Sequence, residues 1–214
     1  MKTPSWLYVI SLVSPAILVV IGLAQPWVQL DELFRDPLVV AQEAGTGCCH
    51  IYFGFFSNLG VLLWSSTASV CFFASMLLIQ RKADRREISF MVSACLITGL
   101  LLFDDLFLAH EVIYPKILGV DEIYVFAAYA IFVAAYLSLF RNLIIRYGYS
   151  LMLLSLSFFA ISIFEDIFQG EGGVLRRIAE DGTKFIGIAT WTAFHFRAAW
   201  LMCTENQRDV HGLS

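Results

Sequence analysis

The chain has 214 residues, of which 59% are hydrophobic and 15% charged, with a net charge of −4 and a mean hydropathy of +0.74. Soluble domains run about 45–50% apolar and about 25% charged, so this balance excludes an ordinary soluble domain, and no nucleic-acid partner is expected. A hydrocarbon core about 30 Å thick requires roughly 20 apolar residues of each spanning helix; the expectation is an all-α polytopic protein of the cell (inner) membrane, one transmembrane domain over 1–214 in contact with the lipid bilayer.

Six apolar segments follow in chain order, at about 6–28, 50–79, 88–109, 123–140, 150–168 and 185–203. In the first, Lys2, an apolar run and Gly22-Leu23-Ala24 have the form of a secretory signal. The uncharged run from Thr3 to Leu30 is long for a signal, Pro15 interrupts it, and Gln25-Pro26 would set a proline just past the cut, so a retained helix is expected. The second segment carries Ser65-Ser66-Thr67-Ala68-Ser69, small residues that let helices approach closely. Five cysteines form no CxxC; Cys71 and Cys95 read as packing residues, and Cys48-Cys49-His50 lacks the partner pair a soft-metal site needs. The fourth places Glu122, Tyr129 and Tyr136 on one stripe at a spacing of seven, which either lines a polar path or bonds to neighbours. In the sixth, His195 and Arg197 with Trp191 and Trp200 are expected to mark the cytoplasmic interface.

Lys and Arg in short loops set orientation. The second loop reads Arg81-Lys82-Ala83-Asp84-Arg85-Arg86 and the fourth carries Arg141 and Arg146. Grouping all charges by side gives nine basic and four acidic residues inside, a net +5, against five basic and fourteen acidic outside, a net −9. Both termini are therefore expected in the cytoplasm, although Arg176 and Arg177 fall in an otherwise acidic outer loop.

Three odd-numbered segments end in related words: Leu30-Asp31-Glu32-Leu33-Phe34, Phe103-Asp104-Asp105-Leu106-Phe107 and Phe164-Glu165-Asp166-Ile167-Phe168. Either a repeated helical hairpin or chance among apolar helices accounts for them, and helix starts attract acids in any case. Depth separates the pairs. Glu87 to Asp104 is 17 residues, about 26 Å of helix, and Arg146 to Glu165 is 19, about 28 Å. Asp104/Asp105 and Glu165/Asp166 thus sit at one level, where an ionisable group costs a few kcal/mol unless it meets a partner, a cavity or the interface. Lys184 reaches the same layer, one turn inside Glu180.

Asp104, Asp105, His110 and Glu111 from the third segment, with Glu165, Asp166, Glu180 and Asp181, form the expected cation site, and Lys184 is their charge partner. Oxygen donors of this kind suit a divalent cation such as Ca²⁺, Mg²⁺ or Mn²⁺, and His110 extends the choice to zinc or iron. On an ideal helix Asp104, Leu108 and Glu111 share a face, and Asp105 and His110 are turned away from it.

Phe56-Ser57-Asn58-Leu59-Gly60 resembles the Ser-Asn-Leu helix start of the alkaline ceramidases, which implies a metal-dependent membrane hydrolase of lipid amides or esters. The likeness covers about eight residues, and the His-x-x-x-His pair of that family's final helix is absent; Glu180-x-x-x-Lys184 stands nearest to its place. The function expected is outer-leaflet cation binding, in a transport path or a metal-dependent site. A lipid hydrolase and a structural subunit of a larger membrane complex or homo-oligomer are the alternatives.

Overall fold

A computed structural model describes residues 3–43, 50, 52–168 and 173–211, with side chains at 42, 43, 166–168, 174, 175, 177 and 205–211 left out. The protein is all-helical, 87% helix, with no strand among the described residues. In chain order the helices are α1 (Ser5–Ala24), α2 (Leu30–Phe34), α3 (Pro37–Glu43), α4 (Phe55–Gln80), α5 (Arg85–Phe107), a π-helical segment (Ala109–Ile117), α6 (Glu122–Leu139), α7 (Arg141–Phe168) and α8 (Val174–His211). Five of them, α1, α4, α5, α6 and α7 up to Glu165, are long and apolar enough to cross a membrane. Their outer faces carry exposed apolar side chains, among them Ile10 and Ile21 on α1, Phe72 and Phe73 on α4, and Ile131 and Phe132 on α6. Water does not tolerate apolar surface on that scale; lipid does. The chain is a helical membrane protein.

Local chemistry explains where the helices stop. The first segment ends at Ala24 rather than near Val28, because Gln25 precedes Pro26 and is driven to extended backbone (ψ 139°). The Gln25 side chain then binds the freed backbone, accepting from the N–H groups of Trp27 (2.8 Å) and Val28 (2.9 Å). Inside α1, residues Val9–Val13 wind as a π-turn just ahead of Pro15, which supplies no N–H to the ladder. Asp31 and Glu32 consequently lie in the first turn of a separate helix, whereas Asp104 and Asp105 close α5, so the related words occupy opposite helix ends. The turn after α4 satisfies its last carbonyls through a Schellman pattern, Ala83 N–H to Leu78 O and Lys82 N–H to Ile79 O, with Lys82 at φ 54°. Asp84 then caps α5 by accepting from the Arg86 N–H (3.1 Å).

Contacts sort the chain into two compact units, one of residues Met1–Thr3, Trp64–Tyr149 and Thr192–Ser214, the other of Pro4–Leu63 and Ser150–Trp191; the dividing lines fall inside α4, α7 and α8. The first unit is built on Phe90 of α5, whose ring packs against Tyr136 (5.4 Å between centroids), Phe140 (5.4 Å) and Phe194 (6.4 Å). Its glycine Gly148 (φ 133°, ψ 61°) breaks α7 where a Cβ would meet the Arg197 guanidinium at 3.2 Å. The second unit centres on Leu33, Phe34, Phe56, Ile178 and Phe185, with Phe34 stacked on Phe56 at 4.3 Å. Gly54 (φ 62°) lets the chain run against Pro37 and donates to Glu32 O at 2.8 Å.

Candidate functional site

The third segment does not continue as one helix to Ala109. Leu108 takes the left-handed conformation (φ 51°, ψ 44°), with its N–H on Asp104 O, and the backbone restarts as the π-helical segment. A side chain with a Cβ pays about 1–2 kcal/mol for that conformation, and such strain persists only where surrounding contacts over-determine it. Here one carboxylate supplies them. Asp104 is buried, and its Oδ1 accepts from the His110 backbone N–H (3.0 Å) and the Tyr129 hydroxyl (2.8 Å), while Oδ2 faces His110 Nδ1 at 2.6 Å. An unpaired carboxylate at a helix centre in the bilayer costs roughly 2.5–3.5 kcal/mol on insertion scales. Three hydrogen bonds to a charged group, at about 1.5–3 kcal/mol each, offset that cost with room to hold Leu108 in place.

The break also aims the imidazole. His110 is buried against Phe126, with 5.3 Å between ring centroids. Because a carboxylate only accepts, Nδ1 carries the hydrogen, and Nε2 of the neutral ring presents a lone pair. That nitrogen lies 3.5 Å from Glu111 Oε1 and 3.9 Å from Glu122 Oε1. The two glutamate side chains are 48% and 41% exposed, so the lone pair opens toward the surface between two carboxylates. A lone pair on Nε2 is repelled by each of these carboxylates, and a positive charge on that nitrogen is attracted to both.

Asp105 points elsewhere, accepting from Trp64 Nε1 at 2.8 Å. Glu165, Glu180, Asp181 and Lys184 are half-buried in the second unit, and the Asp166 side chain, like Cys48 and Cys49, lies outside the described residues. At the end of α7 it is the backbone carbonyl of Glu165 that accepts from the Arg176 guanidinium, at 2.8 Å from Nε. Among the described residues no group of three or more His, Cys, Asp or Glu side chains is placed to hold a metal ion. In the first unit the structure brings Asp104, His110 and Glu111 together with Glu122, the first member of the stripe spaced by seven.

Tyr129 and Tyr136 bond to neighbours, the first to Asp104 and the second to His195 Nε2 at 3.0 Å. His195 is fully buried. The stripe spaced by seven was the available signal for Glu122 and the tyrosines; nothing local in the sequence announced Trp64 or the break at Leu108.

No curated protein and no solved structure matches the chain. A family model described as Domain of unknown function (DUF8692) matches residues 10–198. The chain belongs to this DUF8692 family.

Proposed function

We propose that the protein is a six-span protein of the cell membrane, both termini cytoplasmic, whose Asp104–His110 node binds a cation, and that this cation is a proton. The sixth span is the part of α8 near 185–203, where His195 and Arg197 lower the apolar character; the segregation of Lys and Arg supports the orientation. One observation carries the functional reading: His110 Nε2 lies within 4 Å of both Glu111 and Glu122, with Nδ1 against Asp104. A proton on Nε2 turns repulsion from two carboxylates into two attractions, and Asp104 stabilises the resulting imidazolium. Tyr129 fixes the carboxylate that does so.

The test is proton uptake by purified protein after a small acid jump, followed with a soluble pH dye. Wild type is expected to take up a proton that His110→Gln does not. Equal uptake by both proteins overturns the assignment to His110. A second reading rests on the same dyad, since an imidazole oriented by a carboxylate is a general base; the substrate would be a lipid ester at the outer leaflet. Release of fatty acid or headgroup from phospholipid vesicles by wild type, and not by His110→Gln, would favour it.

A further inference from the structure

Between the π-helical segment and α6 the chain makes a turn that is apolar where a loop in water would be polar. Ile117 and Leu118 are 71% and 60% exposed, and Val120, Ile123 and Tyr124 are exposed as well. The turn closes on itself: the Leu118 N–H donates to Ile113 O (3.1 Å) and the Val120 N–H to Tyr114 O (2.9 Å). Gly119 takes φ 67° at the tip, where a Cβ would meet nothing within 4 Å. Backbone groups bonded in this way can leave water cheaply, and the apolar side chains gain by doing so.

Depth says what they meet. α6 runs over 18 residues from Glu122 to Leu139, about 27 Å of helix, close to the hydrocarbon thickness of a bilayer. Glu122 therefore stands at the edge of the hydrocarbon, and the turn just before it at the level of the headgroups. From Ile123 and Tyr124 the exposed apolar surface continues to Ile131 and Phe132 on the lipid-facing side of α6.

The charges on the turn are of both signs. Lys116 is exposed between Glu111 and Asp121, which are exposed too. Glu111 precedes Lys116 by five residues, about one turn of a π-helix, so an acid and a base stand on neighbouring turns. Glu111, Lys116, Asp121 and Glu122 sum to −2. An anionic lipid meets net repulsion there, whereas a zwitterionic headgroup finds a partner for each of its charges.

We propose that the turn from Lys116 to Ile123 docks a phosphatidylethanolamine of the outer leaflet. Lys116 meets the phosphate, Glu111 and Asp121 meet the ammonium, and Ile117 and Leu118 enter the boundary of the acyl chains. An ethanolamine ammonium donates hydrogen bonds to carboxylates, which a choline headgroup cannot do. Binding of this kind is separate from proton binding at His110 and needs only the outer placement of the turn.

Purified full-length protein in detergent is titrated with phosphatidylethanolamine, phosphatidylcholine or phosphatidylglycerol, and bound lipid is counted by native mass spectrometry. Wild type is expected to bind its first phosphatidylethanolamine about fivefold or more tighter than either other lipid. Lys116→Gln is expected to weaken that binding by a similar factor, and Glu111→Gln to reduce the preference over phosphatidylcholine. Thermal midpoints near wild type are expected, because both side chains are exposed. Equal binding of the three lipids by wild type, or tightest binding of phosphatidylglycerol, overturns the proposal, as does undiminished binding in folded Lys116→Gln. A dimer in the same spectra that Leu118→Ser dissolves assigns the turn to a second copy of the chain and overturns it too. No proton is read in these spectra, so the outcome is independent of that for His110.

Discussion

Several buried hydroxyls of the two units differ in what they reach, although Ser75 of the first also donates to a backbone carbonyl, that of Phe72 (2.7 Å), and the second holds the Tyr8–Ser150 hydroxyl pair. In the second, the hydroxyls of Ser11, Ser155 and Thr190 donate to backbone carbonyls, those of Leu7, Gly187 and Ile186, at 2.7–2.9 Å. Such bonds return a polar group to a helix that is already complete, and the core around Phe34, Phe56 and Phe185 is apolar. In the first, Asp104, Asp105, Glu87, Tyr136 and Thr67 bond to side chains on other helices or beyond a helix break. A bond from side chain to side chain in a low-dielectric interior fixes both partners, and it is costly when half made. The contrast separates packing from chemistry: titratable groups held by other side chains mark where a charge can be received.

Substitutions sharpen or break this contrast, and the largest effect belongs to Asp104. Asp104→Ala leaves the His110 N–H, the imidazole and the Tyr129 hydroxyl without their acceptor, and a stability loss of about 3 kcal/mol is expected, together with loss of proton uptake. Denaturation in detergent micelles and the dye assay read the two effects. Next comes a purely steric site in the second unit. A Cβ on Gly54 would lie 2.3 Å from Pro37 Cδ and 3.0 Å from the Arg35 carbonyl. Gly54→Ala is expected to cost about 2 kcal/mol or more, left-handed strain included, with proton uptake by the folded fraction unchanged. Thr67→Val removes one hydroxyl of a buried pair at similar volume and should cost about 1 kcal/mol. Smallest is Ser155→Ala, at about 0.5 kcal/mol, because the Gly187 carbonyl belongs to a helix. If Ser155→Ala proved as costly as Thr67→Val, the distinction between the units would fail.

Much of the fold was legible because a bilayer writes long apolar runs into sequence. The segments near 50–79, 88–109 and 123–140 lie within a few residues of α4, α5 and α6. Boundaries moved where one residue overrode periodicity: Gln25 before Pro26 shortened α1, and Gly148 hid a helical start at Arg141 that joins α7. At the site, depth counting found Asp104, but ideal helix geometry turned His110 away from it. Leucine is a strong helix former, so nothing at Leu108 signalled a left-handed residue. Its break is set by the hydrogen bonds of Asp104, and those depend on Tyr129, 25 residues away.

The most direct measurement is nitrogen NMR of histidine-labelled protein in lipid nanodiscs, with His110 assigned by its loss in His110→Gln. At high pH hydrogen is expected on Nδ1 and none on Nε2, with Nε2 gaining a proton as the pH falls and the Nδ1 hydrogen retained throughout. A ring with its hydrogen on Nε2 at high pH, or one that never gains a second proton, would contradict the claim that the Asp104–His110 node is built to receive a positive charge.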